Sequence, residues 1–298
     1  MQLFLCWFSG KWFPHNAAEI IIRQSAGLVM TTVTIEQKKR LFCRLVPDSY
    51  AGALANFFGS GPTDIELARK QHQAYQNALM DAGIEVHVLD ADEKYPDCIF
   101  VEDQALFVDG EVLIPNVGAP SRVGERPPVE AFLRDQLDDE RVHLMDSNAK
   151  MDGGDVIRLR NIFYVGKSSR TNDAGIYEFK KFLDRFGYEL RVVDIPGNAL
   201  HITSLSSTPT DDIIIAPEGY LTAEIFGELP QGCKVVMMPE EEAYGCNTIG
   251  LPGNKVLAAK GYPTVINFLK QLGLEVIEID MSQIRAADGS LTCMSVFF

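Results

Sequence analysis

The chain lacks the spacings that mark a cysteine scaffold. Its six cysteines, at 6, 43, 98, 233, 246 and 293, contain no CxxC pair and show no metal-ligand spacing with the five histidines. That speaks against a disulfide framework or a bound metal and for free thiols in a reducing, cytoplasmic setting. Positive charge is also scarce, since 27 Lys and Arg stand against 41 Asp and Glu for a formal net charge of −14. Such a chain repels phosphate backbones, so nucleic acid is not an expected partner, whereas a small cationic molecule suits the field. No apolar run approaches the length that spans a bilayer, and no membrane partner is expected. The apolar start Met1–Phe8 has no positive segment before it, and Pro14 and His15 follow without a clean cleavage site. Residues 1–38 are expected to be an extension, disordered or not part of the fold, with Met30 available as a later start, and 39–298 a single domain.

What is present is a repeat. "FVEDQALFVDGEVLIP", "MDGGDVIRLRNIFYVG", "HITSLSSTPTDDIIIA" and "GCNTIGLPGNKVLAAKG" each read as apolar strand, Gly/Asp/Asn turn, apolar strand. Their starts fall about 45 to 50 residues apart. Three of them continue into a helix-like segment and a further β-branched strand: "PPVEAFLRDQL", "IYEFKKFLDRFGYELRVVDI" and "PTVINFLKQLGLEVIEID". The last piece, "LTCMSVFF", opens a unit at the C-terminus. The N-terminal "LFCRLV", "ELARKQHQAYQNALMDAG" and "IEVHVL" supply its strand, amphipathic helix and strand. Five units then close into a ring, the fifth shared by both ends of the chain.

Residues at equivalent places in such a ring meet at its centre. They are Glu102 and Asp103, Asp152, His201, Asn247 and Cys293, an inventory of carboxylates, an imidazole and a thiol that belongs to an enzyme. Taken singly, Cys293 reads as a buried structural thiol and His201, between Leu200 and Ile202 of an apolar strand, as a core histidine. Their shared repeat phase favours a nucleophile and an acid/base. Asp97, Glu102 and Asp103 in "PDCIFVED", with Asp152 and Asp155 in "MDGGD", would each alone be turn or capping residues. Together they repel one another unless a cation arrives, and a guanidinium is the planar cation that paired carboxylates hold best. Gly153 and Gly154 would let the backbone pass close to such a ligand. Arg122 and Arg170, on matching loops, are single surface arginines on the bland reading but could jointly grip a carboxylate, which makes the ligand a guanidino amino acid.

The strings "PDCIFVED", "GAPSR", "DGGDV", "SSRTN", "LH" and "DGSLTCMS" resemble, in order and over Leu41–Phe298, the dimethylarginine dimethylaminohydrolases of the guanidine-modifying superfamily. The resemblance implies a five-bladed α/β propeller, or pentein, and a cofactor-free, metal-free hydrolase of Nω-methylated arginine that yields citrulline and dimethylamine or methylamine. It implies Cys293 as nucleophile, His201 as acid and then base, and Asp152 as the group orienting His201 and the guanidinium. Glu102 and Asp103 would hold the guanidinium, Asp97 the α-amino group, and Arg122 and Arg170 the α-carboxylate. Leu45 falls where the family has a lid leucine, and Ala287 where a backbone carbonyl meets the substrate. The catalytic domain would be a monomer or homodimer.

Two departures qualify the resemblance. Thr203 stands where family members commonly carry Lys and where arginine and agmatine deiminases carry Asp, which disfavours those deiminases. "RLVPDSYAGAL" differs from family lids. The alternatives are an arginine deiminase, an amidinotransferase, or a catalytically silent ring that binds a partner.

Overall fold

The Gly/Asp/Asn turns that punctuate the sequence adopt the backbone such residues allow. Asp109 and Gly110 both have positive φ (48° and 84°), as do Gly253 and Asn254 (75° and 56°). Two successive positive φ values match the right-handed twist of the strands they join, so each pair reverses the chain into a tight hairpin. The protein was studied as a computed structural model, which describes residues 34–298 and the backbone of one hairpin ahead of them. That hairpin pairs β1 (Leu5–Phe8) with β2 (Lys11–Pro14) and forms its own unit, Met1–Thr32. The rest of the expected extension up to residue 33 lies outside the described residues.

The five predicted units are five three-stranded sheets of one design. Blade two runs β5 (Leu106–Val108), β6 (Glu111–Ile114) and β7 (Val142–Leu144); blade three, β8 (Val156–Leu159), β9 (Ile162–Lys167) and β10 (Glu189–Asp194). Blade four has β11 (Ser207–Thr210), β12 (Ile213–Pro217) and β13 (Lys234–Met238), and blade five β14 (Thr248–Leu251), β15 (Lys255–Ala259) and β16 (Glu275–Ile279). In each, the first strand pairs antiparallel with the second and the second parallel with the third. Blade one is completed across the termini, as expected. There β17 (Ser295–Phe297) pairs with β3 (Arg40–Arg44), which pairs with β4 (Glu85–Leu89).

Parallel neighbours need a crossover, and four blades supply a helix: α1 (Ile65–Asp81), α2 (Arg126–Gln136), α3 (Asp173–Asp184) and α4 (Pro263–Gln271). Their starts are chemically marked. Asp64 accepts from Leu67 N–H at 2.9 Å and Asn172 from Gly175 N–H at 2.8 Å, while Pro263 opens α4. Each helix buries one stripe; on α3 it is Ile176, Phe179, Phe182 and Leu183, packed on Phe163 and Val165 of the sheet. Blade four crosses over with only a short 3-10 turn, Ala223–Phe226.

The ring starts earlier than the boundary expected at 39. Thr34 to Gln37 form a capped turn whose Ile35 N–H reaches Asp211 at 3.0 Å, and Lys38 Nζ donates to the Gly250 carbonyl at 2.9 Å. This short stretch is therefore tied to blades four and five.

Close backbone approach decides one glycine. A Cβ on Gly153 would collide with the Glu102 carbonyl oxygen, because the turns before β5 and β8 press together there. Gly153→Ala is expected to destabilise the fold by about 1–3 kcal/mol, the usual range for overpacking. Urea unfolding with an unchanged m-value would show it.

Candidate active site

The residues expected at the ring's centre arrive on turns ahead of a blade's first strand. Glu102 and Asp103 sit on the 3-10 turn Val101–Gln104, Asp152 caps the turn Gly153–Asp155, and Cys293 lies within the turn Thr292–Met294. Asn247 ends the turn Glu240–Cys246. His201 and Cys293 were expected on strands, but pairing begins only at Ser207 and Ser295. Ser206 N–H closes a turn onto the Ile202 carbonyl at 2.9 Å, and Ile202 and Leu205 fill a core beneath it. Leaving the pleat frees these side chains from strict alternation and lets all of them face the ring's centre.

One cleft gathers Asp97, Asp103, Arg122, Arg170, His201, Ala287 and Cys293. Asp152 stands directly behind His201, with Oδ2 3.1 Å from Nε2. Asp152 is itself fixed, since its Oδ1 accepts from Gly118 N–H at 2.6 Å. Asp103 approaches the other ring nitrogen at 4.0 Å. Gly154 makes room for the approach of His201 to Asp103. A Cβ on Gly154 would lie 2.6 Å from His201 Nδ1 and 3.0 Å from Asp103 Oδ1.

These neighbours set the charges. Burial alone would lower the His201 pKa, but Asp103, Asp155 and Asp152 outweigh it and hold the imidazolium up to about 9. Burial also raises Asp103, yet His201 and Arg122 bring it below the ordinary carboxylate value. Burial, with Asp103 next to it, lifts Glu102 to about 7. Cys293 is pushed well above an ordinary thiol by burial and by Glu102 and Asp103, while Ser290 Oγ lies 3.2 Å from its sulfur. The cleft thus carries a thiol and an imidazolium.

Glu102 touches Cys293 and Thr292 from below and also lines a second cavity walled by Thr203, Ser206, Ser207 and Thr248. That cavity reaches neither Cys293 nor His201. Thr203, the departure noted in the sequence, offers Glu102 a hydroxyl at 3.4 Å where the resemblance led one to expect a cation. Asn247 clamps the two turns, donating to the Thr203 carbonyl at 2.7 Å and accepting from Thr292 N–H at 3.1 Å.

Two expected residues stand elsewhere. Leu45 is 42% exposed and away from the cleft; Leu54, nine residues on, lines it instead. Arg122 is not a rim arginine. Its Nε donates to Glu125 at 3.0 Å and its Nη2 to the Phe100 carbonyl at 2.7 Å, while Nη1 pairs with Asp103. The cause is Glu125, which follows it by three residues on the same turn and folds the guanidinium inward. That spacing was visible in the sequence. Arg170 remains available, with its Nη1 3.6 Å from Asp152. Asp155 also acts locally, accepting from Ser168 at 2.5 Å, Thr171 at 2.6 Å and Ile202 N–H at 3.4 Å, and so fastens the His201 loop to blade three. Ligand atoms of Asp103, Asp152 and His201 lie within 4.8 Å of one another and could surround a small cation, though acid–imidazolium pairing accounts for the grouping.

The family model for eukaryotic N,N-dimethylarginine dimethylhydrolases matches residues 59–297. An N(G),N(G)-dimethylarginine dimethylaminohydrolase of Pseudomonas aeruginosa is 31% identical over 239 residues, which is 80% of this chain and 91% of the bacterial protein. The chain belongs to the dimethylarginine dimethylaminohydrolase family. A Streptomyces coelicolor protein of the same name is 30% identical over 235 residues, 78% of this chain and 86% of its own length. A solved Pseudomonas aeruginosa dimethylarginine dimethylaminohydrolase, a cysteine-to-serine mutant complexed with citrulline, superposes with a TM-score of 0.79 at 29% identity. It covers 87% of this chain and 99% of its own. The five-bladed α/β architecture is therefore that of the dimethylarginine dimethylaminohydrolases, and this chain is a hydrolase of guanidino C–N bonds.

The imidazolium can be tested directly. His201 should titrate near pH 9 by NMR, and Asp152→Asn, which removes one of the acids that raise it, should move the titration downward by a unit or more, roughly the effect of one close charge. An unmoved midpoint would mean that Asp152 does not set the charge of the ring.

Proposed function

We propose that this chain hydrolyses Nω-methylated arginines, asymmetric dimethylarginine and monomethylarginine, to citrulline and dimethylamine or methylamine. The observation that carries the reading is a buried thiol and an imidazolium that line one cleft together with acids. A guanidinium is the cation such acids hold best.

In this mechanism the cationic head enters between Asp103 and Glu102, and Asp97 takes the α-amino group. Arg170 holds the α-carboxylate; Arg122 keeps Asp103 ionised and in place, which is a different service from the clamp the resemblance implied. Arrival of the cation beside Cys293 opposes the acids that keep the thiol protonated, so the thiol releases its proton to solvent and the thiolate forms where it is needed. The sulfur attacks the guanidinium carbon, and His201 gives its proton to the departing amine, leaving a thiouronium on Cys293. Now neutral and still oriented by Asp152, His201 takes a proton from water, whose oxygen attacks the same carbon. The C–S bond breaks and citrulline leaves. The group held at about 9 is thus an acid first and a base second. The reaction needs no cofactor.

The same reading makes the enzyme cytoplasmic and part of arginine metabolism, with a small guanidino amino acid as its partner. Among the described residues Cys43, Cys98, Cys233, Cys246 and Cys293 are all unpaired, and none of the helices is long and apolar enough to cross a membrane. A nucleophile that must stay a thiol suits a reducing compartment.

Citrulline formation from asymmetric dimethylarginine, monomethylarginine and arginine, measured in parallel, tests the proposal. Turnover of the methylated substrates should fall by about 10³-fold or more in Cys293→Ser, with folding intact, and should decline toward acid pH because protons compete for the thiolate. Turnover of arginine alone would make the chain a deiminase.

A further inference from the structure

Asp288 is a buried acid of the cleft that the chemistry above leaves unused, and it is 6% exposed. Its Oδ2 accepts from the N–H groups of Asn56 at 2.5 Å and Phe57 at 3.0 Å, and its Oδ1 from Phe58 at 2.8 Å and Gly59 at 2.6 Å. Four successive amides turned toward one carboxylate form a backbone nest, and each bond is charge-assisted. The nest belongs to the segment that carries Leu54 into the cleft. Leu54 is itself held one step earlier, its N–H donating to Asp97 Oδ1 at 3.0 Å.

The other side of the contact is the wall that carries the nucleophile. Ala287, Asp288 and Gly289 line the cleft ahead of Cys293, and the Tyr244 hydroxyl fixes the Gly289 carbonyl at 2.8 Å. Asp288 has a φ of 59°, a left-handed backbone that Asp tolerates better than most residues and that turns its carboxylate across to the nest. The two segments touch backbone to backbone. Gly61 N–H donates to the Ala286 carbonyl at 2.8 Å, and a Cβ on Gly59 would collide with that same carbonyl.

The geometry points to Asp288 as a positioning residue that fastens the Leu54 segment to the Cys293 wall and thereby sets how tightly the cleft encloses a guanidino amino acid. The statement about substrate rests on the hydrolase reading; the statement about closure does not. Asp288→Asn keeps the side chain's size but presents an NH2 group to two of the four amides, so the segment is released. Gly59→Ala releases it from the opposite side with the charge of Asp288 intact.

The test sets two rates against each other in both variants. Alkylation of Cys293 by neutral iodoacetamide, located by peptide mass spectrometry, should rise about tenfold, while kcat/KM for asymmetric dimethylarginine falls by about ten- to a hundredfold, mainly through KM. Hydrogen exchange at amides 56–59 should speed up in parallel. Four results overturn the inference. They are wild-type rates in both variants, a parallel fall of alkylation and turnover, loss of folding, and faster alkylation confined to Asp288→Asn, which would trace to charge alone. Were methylated arginines not turned over even by the wild type, the hydrolase reading would fail while alkylation and amide exchange still decided the role of Asp288.

Discussion

A cation buried away from water needs opposite charge close by, and His201 has it. Asp152 contacts one ring nitrogen, Asp103 approaches the other, and Asp155 lies close enough to add to the field. The acids need company in turn: Arg122 pairs with Asp103, and Glu125 pairs with Arg122. Removing any member would leave a desolvated charge without its counterpart, which costs far more than the pair contributes. The turns ahead of β5 and β8 and the His201 loop are therefore locked to one another by electrostatics as well as by packing.

That lock also explains why the cleft is poised and not already reactive. Asp103 acts on both groups, helping to hold His201 protonated and Cys293 as a thiol. On the proposed mechanism a neutral molecule entering the cleft would leave this balance untouched, whereas a guanidinium would tip it at the sulfur. Selectivity for a cation and activation of the nucleophile would then be the same event, a direct use of binding energy at the reacting centre.

The ring makes the lock possible. The members come from four blades: Glu102, Asp103, Arg122 and Glu125 from blade two, Asp152 and Asp155 ahead of β8, His201 ahead of β11 and Cys293 ahead of β17. Closure of blade one by pairing β17 with β3 brings the last of these into the circle. The glycines at 153 and 154 let two of the turns approach closely enough for the carboxylates and the imidazole to meet.

The blades, their hairpin turns, the shared blade at the termini and the residues that converge on the centre were legible in the chain, because each rests on local chemistry. Asp109–Gly110 reverses a strand with its own backbone preferences, Asn172 caps its own helix, and the repeat phase carries Cys293, His201 and Asp152 to equivalent turns. Three things were decided only in the fold. His201 left its apolar run for a turn, Arg122 folded inward, and Leu54 took the place expected of Leu45. The roof segment that carries Leu54 is held by Asp288, 232 positions from its first partner, Asn56. Periodicity and capping act over a few residues and are written in neighbouring side chains. Which carboxylate meets which amide or guanidinium across a closed ring depends on where the chain returns, and that is set by the packing of all five blades at once.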